Sequence, residues 1–295
     1  MELALTLVAA PHGPAITEIA SSVTGRLRGR MVWLDEGRAA DLLFEAQDDA
    51  AAREIAADLI EDRPIDMAIQ PRHGRRKKLL VGDMDSTFIT VECIDVLAAR
   101  AGLGEAVAAI TQSTIRGECD FSDSLRERVA LLEGAEESLL LDAWNKDVAM
   151  MPGGRTLLAT MKHNGAQTAL VSGGFTWFTE RVVAELGFDH HRANILEIRD
   201  GTLTGKVIEP VLDSDAKRII LGELHRNQGL SVNETLTVGD GANDVAMLKA
   251  AGLGVAYHPV PAAAQAADAT IYHGDLTALL YFQGYRRKDF IGADQ

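Results

Sequence analysis

Lys78-Leu79-Leu80-Val81-Gly82-Asp83-Met84-Asp85-Ser86-Thr87 decides the fold class of this chain. A short apolar run stops abruptly at a pair of carboxylates. Such a run reads as a buried strand. Its end is where open α/β sheets place their ligands, outside the carboxyl ends of the strands. Two carboxylates two residues apart can also be no more than a turn that caps a helix. An EF-hand is excluded, because the loop lacks the required glycine and terminal glutamate.

Downstream, residues 90–150 are helical in pattern, with Gly102, Gly104, Gly117 and Gly134 as breaks. From Pro152 the pattern alternates. Helices are predicted at 154–164, 176–186, 214–228 and 243–251, with strands at 168–172, 235–239 and 254–256 and a short β segment at 195–208. Alternation of this kind means a parallel sheet with crossover helices. Upstream, strands at 3–9, 31–34, 40–46 and 65–69 and helices at 14–27 and 48–61 give the order βαββαβ, a ferredoxin-like module. The basic stretch Arg72-His73-Gly74-Arg75-Arg76-Lys77-Lys78 reads as a solvated linker, since no aromatics interleave it as in a nucleic-acid patch. The expected fold is therefore α/β: a Rossmann-like parallel sheet core (79–89 and 152–295) with a helical cap insertion (90–151). An N-terminal ferredoxin-like α+β module (1–71) precedes it, joined by a linker at 72–78.

The chain has 295 residues, 47% hydrophobic and 24% charged, with a net charge of −14. That balance argues against general nucleic-acid or membrane-surface binding. No apolar stretch approaches the ~18 residues that span a bilayer. Met1-Glu2 opens without a basic leader. Cys93 and Cys119 lack metal-ligand spacing and fit a reducing compartment. A cytoplasmic, soluble protein is expected.

Three more motifs stand beside strand ends or helix starts. Val238-Gly239-Asp240-Gly241-Ala242-Asn243-Asp244 is an Asp-Gly turn before a helix, or a second carboxylate pair. If Asp83, Asp85, Asp240 and Asp244 converge, their repulsion requires a cation or a proton. Oxygen ligands facing an anionic substrate point to Mg²⁺. Val171-Ser172-Gly173-Gly174 offers a hydroxyl and bare N–H groups for an anion, or simple N-capping. Lys217, at a helix start, is a solvated side chain or the compact charge that a phosphate needs.

All four motifs in this order resemble the haloacid dehalogenase-like phosphatase superfamily. Four stretches are similar in particular to its phosphoserine phosphatase family. They are DMDSTFITVECIDVLAARAGL from Asp83, GECDFSDSLRERVALLEG from Gly117, LVSGGF from Leu170 and VGDGANDVAMLKAAGLGVAY from Val238. The resemblance covers residues 79–285 with no departure at a motif position. It implies Mg²⁺-dependent hydrolysis of O-phospho-L-serine through an aspartyl-phosphate, the last step of L-serine biosynthesis. Asp83 is then the nucleophile and Asp85 the acid and base. The metal ligands are Asp83, Asp240 and the backbone carbonyl of Asp85. Ser172, Gly173, Lys217 and Asn243 serve the phosphate, with Gly174, Gly241 and Asp244 in support, Asp244 holding Lys217 or metal-bound water. Glu92 and Arg128 in the insertion are implied to take the substrate's ammonium and carboxylate, and Phe121 to line the pocket. The N-terminal module resembles an ACT-like regulatory domain, whose pairing by sheets would make a homodimer.

Two other readings stay open. Glu92 and Arg128 suit any α-amino-acid phosphate, so a phosphomonoesterase or phosphotransferase with another acceptor, such as homoserine, fits as well. A non-catalytic ligand-binding protein would be expected to lose Asp83, Asp85 or Lys217, and none is lost. Both cysteines read as bystanders and His190-His191 as a solvated loop.

Overall fold

The computed structural model describes residues 1–115 and 118–292; Gly117, expected to break a helix, lies outside them. The first segment folds as β1 (Glu2–Ala9), α1 (Thr17–Leu27), β2 (Arg30–Asp35), β3 (Ala39–Glu45), α2 (Ala50–Ile60) and β4 (Ile65–Pro71). The strands lie in the order β2-β3-β1-β4, with β1 antiparallel to both β3 and β4. Alternate residues of a strand face opposite sides. Leu3, Leu5 and Leu7 pack with Ala20, Val23, Ala52 and Ala56 of the two helices. Val8, Leu34, Ala39 and Ala68 belong instead to the main core, with Leu80, Phe282 and Tyr285.

That main core is built on β5 (Leu79–Gly82), β6 (Gln167–Phe175), β7 (His190–Arg199), β8 (Thr202–Ile208), β9 (Thr235–Gly239), β10 (Gly254–Tyr257) and β11 (Ala269–Ile271). Their order is β11-β10-β9-β5-β6-β7-β8, parallel except for the β7–β8 hairpin. Leu79, Leu80 and Val81 are fully buried, as expected for a strand covered on both faces. Helices α7 (Gly154–His163), α8 (Thr176–Leu186), α9 (Ser214–Asn227), α10 (Val245–Ala250), α11 (Pro261–Ala266) and α12 (Ala278–Phe282) complete the layers. The insertion consists of α3 (Cys93–Arg100), α4 (Gly104–Ile115), α5 (Phe121–Ala130) and α6 (Ser138–Asp147). It rests on the hairpin, where Gly134 N–H donates to Leu203 O at 2.9 Å and Leu203 N–H to Ala135 O at 2.8 Å.

Chain-local patterning did not foresee how these parts join. β4 pairs antiparallel with β11 through Met67 and Thr270, so one sheet of 11 strands crosses the whole molecule. β11 has three residues and α12 five, too short to leave a period. Two expectations are corrected. The basic stretch is not uniformly solvated: Lys77 is buried and its ammonium donates to Asn233 O at 2.8 Å, while Arg75 bridges the buried Asp41. His190-His191 is not a loop but opens β7, with His191 Nδ1 2.9 Å from Thr179 Oγ1.

Candidate active site

β5 lies between β6 and β9, with Gly82 in register with Leu170 on one side and Val238 on the other. Its neighbours lead to helices in separate core clusters, β6 to α8 and β9 to α10, so a crevice opens at the carboxyl end of β5. Asp83 stands there, buried, its N–H donating to Val238 O at 3.0 Å. Ser86 adopts a left-handed φ of 54°, which turns the chain sharply after Asp85. Its hydroxyl donates to Glu92 Oε1 at 2.6 Å.

Lys217, fully buried on α9, links two carboxylates. Its Nζ is 2.8 Å from Asp83 Oδ2 and 2.7 Å from Asp244 Oδ1. The second Asp244 oxygen accepts from Asp240 N–H at 3.1 Å and Gly241 N–H at 3.0 Å. Asp244 is thus occupied by the lysine and its own turn. Carboxylate oxygens of Asp83, Asp240 and Asp244 all lie within 4.8 Å of one another. Three carboxylates against one ammonium leave a negative, oxygen-lined spot, which suits a hard divalent cation. Asp83 is partnered as well, its second oxygen accepting from Met84 N–H at 2.8 Å, so all three carboxylates border the spot that a cation would fill. The Asp85 side chain is outside this group and accepts from Cys93 N–H at 3.2 Å.

The electrostatics follow from this crowding. Burial, then the charges of Asp244 and Asp240, push the Asp83 carboxyl well above the usual range, with Lys217 opposing them. Asp85 is pushed up to about 8 by burial and then by Glu92. Asp240 is pushed up to about 7 by burial and then by Asp244. Burial disfavours the Lys217 ammonium, but Asp244 and Asp83 outweigh it and raise its pKa. The lysine therefore stays charged.

A cavity of about 620 Å³ opens over Asp83, Asp85, Asp240 and Asn243. Its walls include Glu92, Phe121 and Arg128 of the insertion, and Ser172, Gly173, Gly174 and Gly241 of the core. Gly174 N–H donates to Ser172 Oγ at 2.8 Å, and a Cβ on Gly174 would sit 2.7 Å from Asp85 Oδ2, so a side chain there would displace the acid. Arg128 is nearly buried, its Nε donating to Ser124 O at 3.2 Å. Every candidate site residue named in the sequence thus lines one cavity or, for Lys217 and Asp244, contacts Asp83 or Asp240 in its wall. Thr87 was missed. Its Oγ1 donates to Asp240 Oδ1 at 2.9 Å, orienting that carboxylate, and its place two residues after Asp85 was the available signal. Thr111, Thr114 and the 260–262 segment also line the cavity without any motif to announce them.

The haloacid dehalogenase-like hydrolase family matches residues 80–249. Phosphoserine phosphatase SerB2 of Mycobacterium tuberculosis is 42% identical over 220 residues, which are 75% of this chain and 54% of that protein. The chain therefore spans about half the length of that relative. The crystal structure of a probable phosphoserine phosphatase from Vibrio cholerae, in unliganded form, matches with a TM-score of 0.75 at 30% identity, over 97% of this chain and 88% of the other. A phospho-aspartyl intermediate analogue of phosphoserine phosphatase matches with a TM-score of 0.66 at 37% identity, over 70% of this chain and 98% of the other.

Proposed function

The chain belongs to the haloacid dehalogenase-like hydrolase family, and from that membership we propose that it is a phosphoserine phosphatase, hydrolysing O-phospho-L-serine to serine and phosphate. One observation carries the proposal. A single cavity has a carboxylate, Asp83, on the core side, and an acidic and a basic side chain, Glu92 and Arg128, on the insertion side. Phosphoserine carries a phosphate, an ammonium and a carboxylate, and these three groups find complements there. A guanidinium matches a carboxylate through two parallel hydrogen bonds.

In the proposed first step an Asp83 oxygen forms a bond to phosphorus as the bond to the seryl oxygen breaks. Asp85, whose raised pKa keeps a proton at neutral pH, gives it to the departing alkoxide. In the second step Asp85 takes a proton from water as the water oxygen attacks phosphorus and Asp83 is released. Lys217 balances charge on Asp83 throughout. The Ser172 hydroxyl, the Gly173 N–H and Asn243 hold phosphate oxygens. Asp83, Asp240 and the Asp85 carbonyl would hold Mg²⁺, which when bound offsets the charge between carboxylates and phosphate. Phe121 and the insertion exclude water.

Two free cysteines, Cys93 and Cys119, support a cytoplasmic setting for this reaction. β2, the outer strand of the sheet, supports pairing of two copies into a homodimer. Initial rates with phosphoserine, phosphothreonine and p-nitrophenyl phosphate, with Mg²⁺ and with chelator, test the proposal. Phosphoserine is expected to be fastest, and turnover to vanish with chelator. Equal rates on all three esters would sink the substrate assignment.

A further inference from the structure

The helical insertion leaves and re-enters the core at two adjacent crossings. They are tied together. Thr90 N–H donates to Ala149 O at 3.0 Å, Met151 N–H donates to Phe88 O at 2.9 Å, and Ile89 bridges Met150. The first crossing directly follows the Asp83–Thr87 motif. The second ends at Pro152 and Gly153, where Gly153 has a left-handed φ of 83°.

The 272–277 loop lies against that second crossing. Leu276 N–H donates to Pro152 O at 3.1 Å. A Cβ on Gly153 would sit 2.7 Å from Thr277 N and 2.9 Å from Asp275 Oδ1, so the two backbones are in direct contact. Thr277 N–H donates to that same Asp275 oxygen at 2.8 Å, which stiffens the loop. From its other side the loop is held by the N-terminal module. Asp66 on β4 is 2% exposed. Its carboxylate accepts from the N–H groups of Tyr272 at 2.8 Å, His273 at 3.2 Å and Gly274 at 2.6 Å. Charge-assisted bonds of this kind are among the strong ones, and removing the acceptor leaves buried donors unsatisfied.

We propose that Asp66 is a positioning residue for the reaction: through the 272–277 loop it braces the second crossing and sets how the helical insertion closes over the substrate. This rests on the phosphatase reading, because closure matters when one ligand bridges Asp83 in the core and Glu92 and Arg128 in the insertion. The N-terminal module is then part of the frame of the catalytic unit. Without the brace three N–H groups lose their acceptor, and the Pro152–Gly153 crossing relaxes. The closed arrangement becomes a smaller fraction of the population, and apparent affinity falls with that fraction.

The test uses the full chain with Mg²⁺ and the Asp66→Asn variant, which keeps the shape but turns one acceptor into a donor facing N–H groups. The kcat/KM for phosphoserine is expected to fall about tenfold. That for p-nitrophenyl phosphate, which has no ammonium or carboxylate for Glu92 and Arg128, is expected to change less than about twofold. In ligand-free protein, hydrogen exchange at the amides of residues 149–151, 153 and 154 is expected to quicken while that of β5 stays unchanged. If Asp66→Asn does not fold, Gly153→Ala is expected to give the same signature. Equal losses on both esters, no loss on either, or unchanged exchange at these amides overturns the proposal. The exchange measurement does not depend on the substrate. Quickened exchange in a protein whose parent chain ignores phosphoserine would sink the phosphatase assignment alone.

Discussion

Two groups of buried carboxylates, Asp41 in the N-terminal module and the cluster at the end of β5, differ in how their charge is met. In the N-terminal module Asp41 is 2% exposed and is matched one to one. Thr6 Oγ1 donates to it at 2.8 Å and Arg75 Nη1 at 2.9 Å, with the second Arg75 nitrogen on its other oxygen. At the end of β5, Asp83 and Asp244 share the Lys217 ammonium, Asp240 lies within 4.8 Å of both, and the group opens onto a cavity. Burial of a carboxylate therefore says little by itself. An excess of carboxylates over cations beside open space is what marks a candidate cation site.

The largest expected effect separates the two regions outright. Asp83→Asn should cost at least about 10⁴-fold in kcat, because in the proposed mechanism Asp83 alone forms the covalent bond. Its thermal midpoint should not fall, since the change removes one of three mutually repelling charges. A variant that keeps normal turnover, or that unfolds, breaks the comparison. Asp41→Asn should do the reverse. Leaving the Arg75 guanidinium without its partner is expected to cost about 3–5 kcal/mol of stability by denaturant titration. Its kcat for phosphoserine should stay within about twofold of the parent chain.

A smaller effect sharpens the contrast through pH. Asp85 and Asp240, pushed up to about 8 and about 7 from an ordinary value of 3.8, bind protons in the folded protein that the unfolded chain has already released. Their contribution to stability is full below the ordinary range and is lost as pH rises through 7 to 8. Bound Mg²⁺ would compete with the proton on Asp240. The rise in thermal midpoint on adding Mg²⁺ should therefore be larger at pH 8 than at pH 6. An equal or smaller rise at pH 8 would contradict the assigned cause of the raised values.

The site was legible in the sequence because its parts are local. Asp83 and Asp240 each follow an apolar strand directly, Ser172 stands within β6, and Lys217 lies in the first turn of α9. A strand end facing a ligand is a property that a few consecutive residues can display. The joint was not legible, for the converse reason. Asp66 meets Tyr272, His273 and Gly274 across some two hundred residues, and Met67 pairs with Thr270 in a strand of three. Neither leaves a periodic trace. Arg75 and Lys77 read as solvated because their partners, Asp41 and the Asn233 carbonyl, are equally remote. The βαββαβ order of the first segment was readable from alternation alone, but the burial of its second face against α12 was not.

The covalent role of Asp83 is tested most directly by stopping the Mg²⁺-supported reaction with phosphoserine in acid during turnover and locating the phosphoryl group by peptide mass spectrometry. A phosphoryl adduct is expected on the peptide that carries Asp83, labile to base and absent from Asp83→Asn. An adduct on Ser172 or another residue, or its persistence in Asp83→Asn, would contradict that role.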